Sequence, residues 1–172
     1  APTLAGTGSV PARVAAVPAA QTAVVAGEVI AGRYRLERLS GEGGMGRVYE
    51  ATDTKLNRRV AVKFVGVAAD DETRESLMNE ARAMAGLSHP HLCRVLEAVL
   101  EGDRPFIVME WIEGVDLRRA VKGLALKQRT GLFMQIVDAV GAMHSAGLTH
   151  RDLKPGNILL NRRGEPVIVD FG

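Results

Sequence analysis

The chain has 172 residues, 47% hydrophobic and 24% charged, with 22 Lys plus Arg against 20 Asp plus Glu for a formal net charge of +2. That apolar content excludes a wholly disordered chain, and the lack of a glycine repeat or sustained heptad excludes a collagen-like or coiled-coil fibre. Evenly mixed charges form no basic stripe for nucleic acid, and the longest charge-free stretch near the start, Val14 to Gly27, is too short and too interrupted to span a bilayer.

Residues 1–28 are rich in Ala, Val, Pro and Gly without a consistent period and read as a flexible linker, beginning on a run that looks internal rather than like a signal peptide. From Tyr34 the texture becomes β-like. Tyr34-Arg35-Leu36, Arg47 to Ala51 and Arg59 to Val65 are strand candidates. Asp70 or Asp71 can cap a helix that repeats Leu77, Ala81 and Met84 and ends near Gly86. Leu92 to Val99 and Phe106 to Trp111 form a second strand group around the turn-like Glu101-Gly102-Asp103. The single cysteine, Cys93, excludes an internal disulfide and reads as a small buried hydrophobe in a reducing compartment.

Beyond Gly114 the period becomes helical. Asp116 can cap a short helix, and Lys127 to Ala146 sets Phe133, Ile136, Val137, Val140 and Met143 on one broad face, with Gly147 as a stop. Ile158 to Leu160 and Val167 to Val169 then read as a hairpin around Asn161-Arg162-Arg163-Gly164. Grouped strands with intervening helices, and no internal repeat, give an α+β class.

Gly41-Glu42-Gly43-Gly44-Met45-Gly46-Arg47-Val48 holds glycines that let backbone N–H groups approach phosphate oxygens. A Walker loop needs Lys and then Ser or Thr after its last glycine, and Arg47-Val48 does not supply them. A dinucleotide-binding fold needs a helix to open inside the motif, where a strand is expected instead. A glycine flap between antiparallel strands remains, alongside a plain glycine-rich hairpin turn.

Two further clusters carry chemistry. Glu80 shares the apolar face of the first helix and needs a cation, for which Lys63, between Val62 and Phe64, is the candidate; the alternative is that both reach water. His150-Arg151-Asp152-Leu153-Lys154-Pro155-Gly156-Asn157 packs polar and turn-forming residues directly before a hydrophobic strand. A hairpin turn centred on Arg163 and Gly164 makes Asn157 oppose Asp170, so that an amide oxygen and a carboxylate converge as ligands suited to Mg²⁺ held with phosphate. Asp152 is then free to orient a hydroxyl and accept its proton. Taken singly, Asn157 is equally a turn residue and Asp170 a loop-start cap.

From about Tyr34 to Gly172 these residues together resemble the eukaryotic-like (Hanks-type) protein kinases. The glycine loop, Val60-Ala61-Val62-Lys63, Glu80, His150 to Asn157 and Asp170-Phe171-Gly172 follow the family's order. Gly-Glu-Gly-Gly-Met-Gly-Arg-Val-Tyr looks most like the bacterial serine/threonine members, and Lys154 matches the serine/threonine form of the catalytic loop.

The resemblance implies a kinase-like fold with an N-lobe over 29–110 and a partial C-lobe over 111–172. It implies ATP and Mg²⁺ as cofactors and a protein substrate, while the apolar pattern alone predicts no membrane segment in this chain. It implies that Lys63, oriented by Glu80, holds the α- and β-phosphates beneath Gly41, Gly43, Gly44 and Gly46. By the same likeness Asp152 is the base, Lys154 steadies the transferred phosphoryl group, and Asn157 and Asp170 hold Mg²⁺. Val48, Ala61 and Leu159 would sandwich adenine, Met109 would guard the back of its pocket, Glu110 and Ile112 would offer hinge backbone groups, and Asp116 would meet the ribose. His144 and His150 match histidines that are structural in the family. Ser40 departs from the aliphatic residue common before the first glycine. The family continues into an activation segment, an Ala-Pro-Glu-like anchor and more helices, so the long helix is expected to leave an apolar patch exposed, and the 172 residues alone to be inactive. The alternatives are a non-catalytic ATP-binding or regulatory module and, last, a dinucleotide-binding oxidoreductase.

Overall fold

The computed structural model describes residues 26–43, 46–64, 71–99 and 104–169. Residues 1–25 of the expected 1–28 linker, Asp70, the turn at Glu101-Gly102-Asp103 and the Asp-Phe-Gly end lie outside the described residues, while Gly27 and Glu28 exchange backbone hydrogen bonds with Leu36. Among the described residues no helix is long and apolar enough to cross a membrane.

The first half is a six-stranded antiparallel sheet. Its strands are β1 (Val29–Ile30), β2 (Tyr34–Gly43), β3 (Gly46–Asp53), β4 (Arg58–Phe64), β5 (Val95–Val99) and β6 (Phe106–Glu110), in spatial order β1-β2-β3-β4-β6-β5. Helix α1 (Asp71–Ala85) connects β4 to β5. The strand alternation decides where each β4 side chain goes. Val60, Val62 and Phe64 enter one cluster with Leu36, Ala51, Phe106 and Val108. Ala61 enters the other, with Met84, Cys93 and Met109. Lys63, two residues from Ala61, therefore projects on Ala61's side of the sheet. Burial on both faces explains why this strand reads as an almost unbroken apolar run.

The open end of the sheet is locked by charge. Arg33 donates through Nε and a terminal nitrogen to both oxygens of Asp53, at 2.9 and 2.8 Å, and reaches Glu97 on β5 at 3.1 Å. Asp53 is fully buried, and it also accepts from the backbone N–H groups of Lys55 and Leu56, closing the turn into β4. The Arg33 hydrogen bonds, with help from those amides, hold its carboxyl far below the usual carboxylate range against the opposing effect of burial.

The second half opens with β7 (Gly114–Asp116), which pairs with the hairpin β8 (Ile158–Asn161) and β9 (Pro166–Ile168). The sequence did not announce β7, a three-residue strand defined only by its partner. Between them run α2 (Leu117–Ala120), capped as expected by Asp116 accepting from Arg119 N–H at 3.0 Å, and α3 (Leu126–Ser145). Helix α3 ends in a Schellman motif: Gly147, at φ +74°, donates to His144 O and Leu148 donates to Met143 O.

The broad α3 face needs correction. Ile136 and Met143 are buried as expected, but so are Leu132 and Ala139, whereas Phe133 is 62% exposed and Val137 is also exposed. Leu126 and Met134 extend that open face, which agrees with the expectation of an exposed apolar patch.

The β8–β9 register also differs. Ile158 faces Ile168 and Leu159 faces Val167, so Asn157 lies opposite Val169 and not Asp170. The reason is the loop. Asn161 Oδ1 accepts from Arg163 and Glu165 N–H, and Gly164 takes the left-handed conformation at φ +76°. That makes a three-residue connection, which shifts every pair by one.

Two outcomes follow from this packing. A side chain at Gly114 would drive its Cβ into the backbone carbonyl of Leu160, well inside van der Waals contact. Gly114→Ala is therefore expected to cost about 1–3 kcal/mol in urea unfolding by prising β7 from β8. Because the Asp53 carboxyl titrates lower folded than unfolded, its stabilisation is present above about pH 4 and is lost as pH falls further. Asp53→Asn should therefore be less stable than the native chain at pH 7, and calorimetry should show the gap narrowing as pH falls below about 4.

Candidate functional site

Between the two sheets lies a cleft of about 500 Å³. Its roof is the β2–β3 hairpin. Gly43 faces Gly46, Glu42 faces Arg47 and Gly41 faces Val48, with a register shift between Leu39 and Gly41 that leaves Ser40 as an unpaired bulge. The glycine run is thus a flap between antiparallel strands, not the opening of a helix. Gly46 sits at φ +123°, a conformation that glycine tolerates and side chains resist. Gly44 lies outside the described residues.

Val48 pairs with Lys63 across β3 and β4, and Ala61 pairs with Met109 across β4 and β6. All four line the cleft, and Lys63 is only 6% exposed. Glu80 lies on α1, but its side chain and that of Leu77 are outside the described residues, so the expected pairing with Lys63 is too. The rear wall adds Cys93, whose thiol lies 3.5 Å from Glu110 O and whose proton affinity is raised by burial. It is the small buried residue the sequence suggested. Glu110, Trp111 and Ile112 form the connecting edge, and Leu159 on β8 and Val169 form the floor.

The floor continues into the 150–157 loop. His150 is buried, with Nε2 3.3 Å from Val169 O, a structural position. Arg151 adopts φ +61°, a left-handed turn for a non-glycine residue, after which Asp152 N–H donates back to His150 O. The Asp152 carboxylate accepts from Lys154 Nζ at 2.6 Å and from Asn157 Nδ2 at 3.0 Å. Lys154, followed by burial in the opposite sense and then Asn157, sets the net shift of its proton affinity downward. Asn157 Nδ2 also donates to Asp152 O, which leaves its amide oxygen as the group able to meet a cation. Asp170 lies outside the described residues. Among the described residues no three His, Cys, Asp or Glu side chains cluster as a metal site.

Of the residues singled out from sequence, Gly41, Gly46, Val48, Ala61, Lys63, Met109, Glu110, Ile112, Asp152, Lys154, Asn157 and Leu159 line this one cleft. Asp116 does not; its carboxylate is occupied as the α2 cap. Sequence reasoning missed Cys93, Trp111, Val169, Gly156 and Arg118 as lining residues. Val169 could have been found as the residue before Asp170, whereas Arg118 arrives only because α2 packs on the 155–157 turn.

One carboxylate also joins the two sheets at the edge. Glu113 pairs with Arg59 of β4 through one oxygen and with Arg162 of the β8–β9 loop through the other.

Residues 34–172 match the protein kinase domain family. The chain is 42% identical over 156 residues to the serine/threonine-protein kinase PknA of Mycobacterium tuberculosis, covering 85% of this chain and 36% of that protein. It is 36% identical over 151 residues to the serine/threonine-protein kinase PrkC of Bacillus subtilis, covering 85% and 23%. Among solved structures it is similar to the M. tuberculosis PknI kinase domain, with a TM-score of 0.74 and 28% identity over 87% of this chain and 61% of that one. It thus spans 36% or less of the length of these curated relatives. The match over 34–172, falling on the residues that build the cleft, makes this chain a member of the protein kinase family, of the bacterial Hanks-type serine/threonine kind.

Proposed function

We propose that the cleft binds ATP and that the protein carrying it transfers the γ-phosphate to Ser or Thr hydroxyls of proteins. One observation carries the reading: a nearly buried Lys63 and the Asp152–Lys154–Asn157 cluster line the same cleft beneath a glycine hairpin.

The roles follow from the chemistry of each group. Val48, Ala61 and Leu159 offer apolar faces to an adenine ring, with Met109 behind it and the backbone of Glu110 and Ile112 at its edge. Lys63 is a cation in a poorly hydrated wall, where attraction to phosphate is strong, and Glu80 on α1 is its proposed orienting partner. Gly41, Gly43, Gly44 and Gly46 give phosphate oxygens close access to the hairpin backbone. Asp152 is kept ionised by its donors and so can accept the proton of a substrate hydroxyl, while Lys154 offsets charge on the moving phosphoryl group. A divalent cation would neutralise phosphate charge, and the oxygen-only donors of Asn157 and Asp170 fit a hard ion such as Mg²⁺. Asp116, occupied as a cap, is proposed only as a secondary contact for ribose. The N-lobe over 29–110 and the C-lobe from 111 follow this division of labour, with 1–28 as a linker. Dependence on ATP and a reduced buried thiol are in keeping with a cytoplasmic setting.

The test uses the full gene product that carries this segment. Lys63→Met and Asp152→Ala are each expected to lower the rate of phosphate transfer from labelled ATP to protein by about a hundredfold or more. Full activity in the Asp152 variant would sink its assignment as base. Stabilisation by Mg-ATP without any transfer would instead identify a nucleotide-binding module. A ¹³C NMR titration offers a separate check on the carboxylate. Because Lys154 contributes most to depressing it, Lys154→Met should move the Asp152 titration to higher pH; an unmoved curve would remove Lys154 as its partner.

A further inference from the structure

Arg118 has no evident task in nucleotide binding, yet it lines the cleft. One of its terminal nitrogens lies 2.6 Å from where a Cβ on Gly156 would project, so the guanidinium rests directly against the 155–157 turn in a place that a side chain at 156 would make it leave. Gly156 does not have a positive φ, so its glycine is not demanded by the backbone. Helix α2 rests on β7, β8 and the 155–157 turn, on the floor side of the cleft and away from the glycine hairpin.

The charge balance at this end of the cleft is one-sided. The carboxylates that line the cleft are all engaged: Glu42 with Arg47, Glu110 with Arg94 N–H, and Asp152 with Lys154. Among the described residues Arg118, Arg119 and Lys122 form no ion pair, and all three lie within five residues on α2 and the turn after it. Against the one carboxylate of this segment, the α2 cap Asp116, these three cations leave a net positive charge, and Arg118 brings it into the cleft, where it attracts an anionic partner and repels a cationic one.

We propose that Arg118, flanked by Arg119 and Lys122, is a specificity-determining subsite for a polypeptide bearing Asp or Glu close to the acceptor hydroxyl. The proposal rests on the kinase reading above. Gly156 adjoins Asn157, whose amide touches Asp152, so the guanidinium and the proposed base stand within the span of about four extended residues. A bidentate carboxylate–guanidinium pair is the geometry that Arg favours.

The full gene product is tested with fluorescent peptides that share one Thr acceptor flanked by Glu, Gln or Lys, reading both anisotropy and phosphate transfer. The expected ranking is Glu, then Gln, then Lys. The Glu-to-Lys ratio should be about tenfold or more at low salt and should shrink as added salt screens the pair. Arg118→Glu is expected to invert the ranking and Arg118→Lys to keep it. A flat ranking in the native protein overturns the proposal. An Arg118→Glu variant that loses all three peptides equally also overturns it, since that pattern marks a contact to ATP. Binding graded by charge with no transfer to any peptide keeps the subsite and removes the kinase reading, whereas transfer without a charge ranking does the reverse.

Discussion

Strand β4 is sealed on both faces, and the rest of the molecule is arranged around that seal. Its even-numbered members Val60, Val62 and Phe64 pack into the outer cluster, while Ala61 and Lys63 face the cleft. Neighbours β3 and β6 are held in register with it, so Val48 and Met109 inherit fixed places opposite Lys63 and Ala61. A slip of one residue would bury the amine among Leu36 and Val108 and turn the valines into the cleft. The chemical position of Lys63 is therefore a by-product of packing, and it is as rigid as the core.

Charge does its structural work at the margins of that sheet. The buried Asp53 collects Arg33 and two turn amides, which satisfies its lone pairs and makes so complete a burial tolerable. Glu113 acts differently. It is partly exposed and divides its two oxygens between cations from separate sheets, so its contribution is geometric more than energetic. Residues 111–113 belong to neither sheet; Trp111 and Ile112 pack against the core cluster beside the cleft, and this shared carboxylate adds a polar tie to both sheets.

Much of this was legible in the sequence because it depends on short-range pattern. The apolar run from Val60 to Phe64, the glycine spacing after Ser40 and the polar density from His150 to Asn157 each announce a local structure. The parts that were not legible depend on partners far along the chain. Strand β7 has no alternation to read and exists because Leu160 and its neighbours receive it. Periodicity identified an apolar face on α3 but not which flank meets β9, so Phe133 and Val137 were misplaced while Leu132 and Ala139 were overlooked. The hairpin register turned on one side chain, since Asn161 bonds two loop amides and makes room for a third loop residue. Arg118 carries no local signature at all; it reaches the cleft because α2 packs on the 155–157 turn, where its guanidinium lies against Gly156.

The loop that holds Asp152 is not fastened to the helices around it so much as threaded onto the hairpin. Val169 N–H donates to Asn157 O, and Asn157 Nδ2 donates to both the carbonyl and the carboxylate of Asp152. His150 Nε2 lies 3.3 Å from the carbonyl oxygen of that same residue, Val169. Residue 169 thus serves as a common anchor for the 150–157 loop and for the chain leading to Asp170. The residue after β9 is linked to Asp152 through two hydrogen bonds with only the buried Asn157 side chain between them. The place of the Asp152 carboxylate is accordingly set by where the β8–β9 hairpin ends, and a loop far along the chain from the glycine-rich strands takes its position from a single strand terminus.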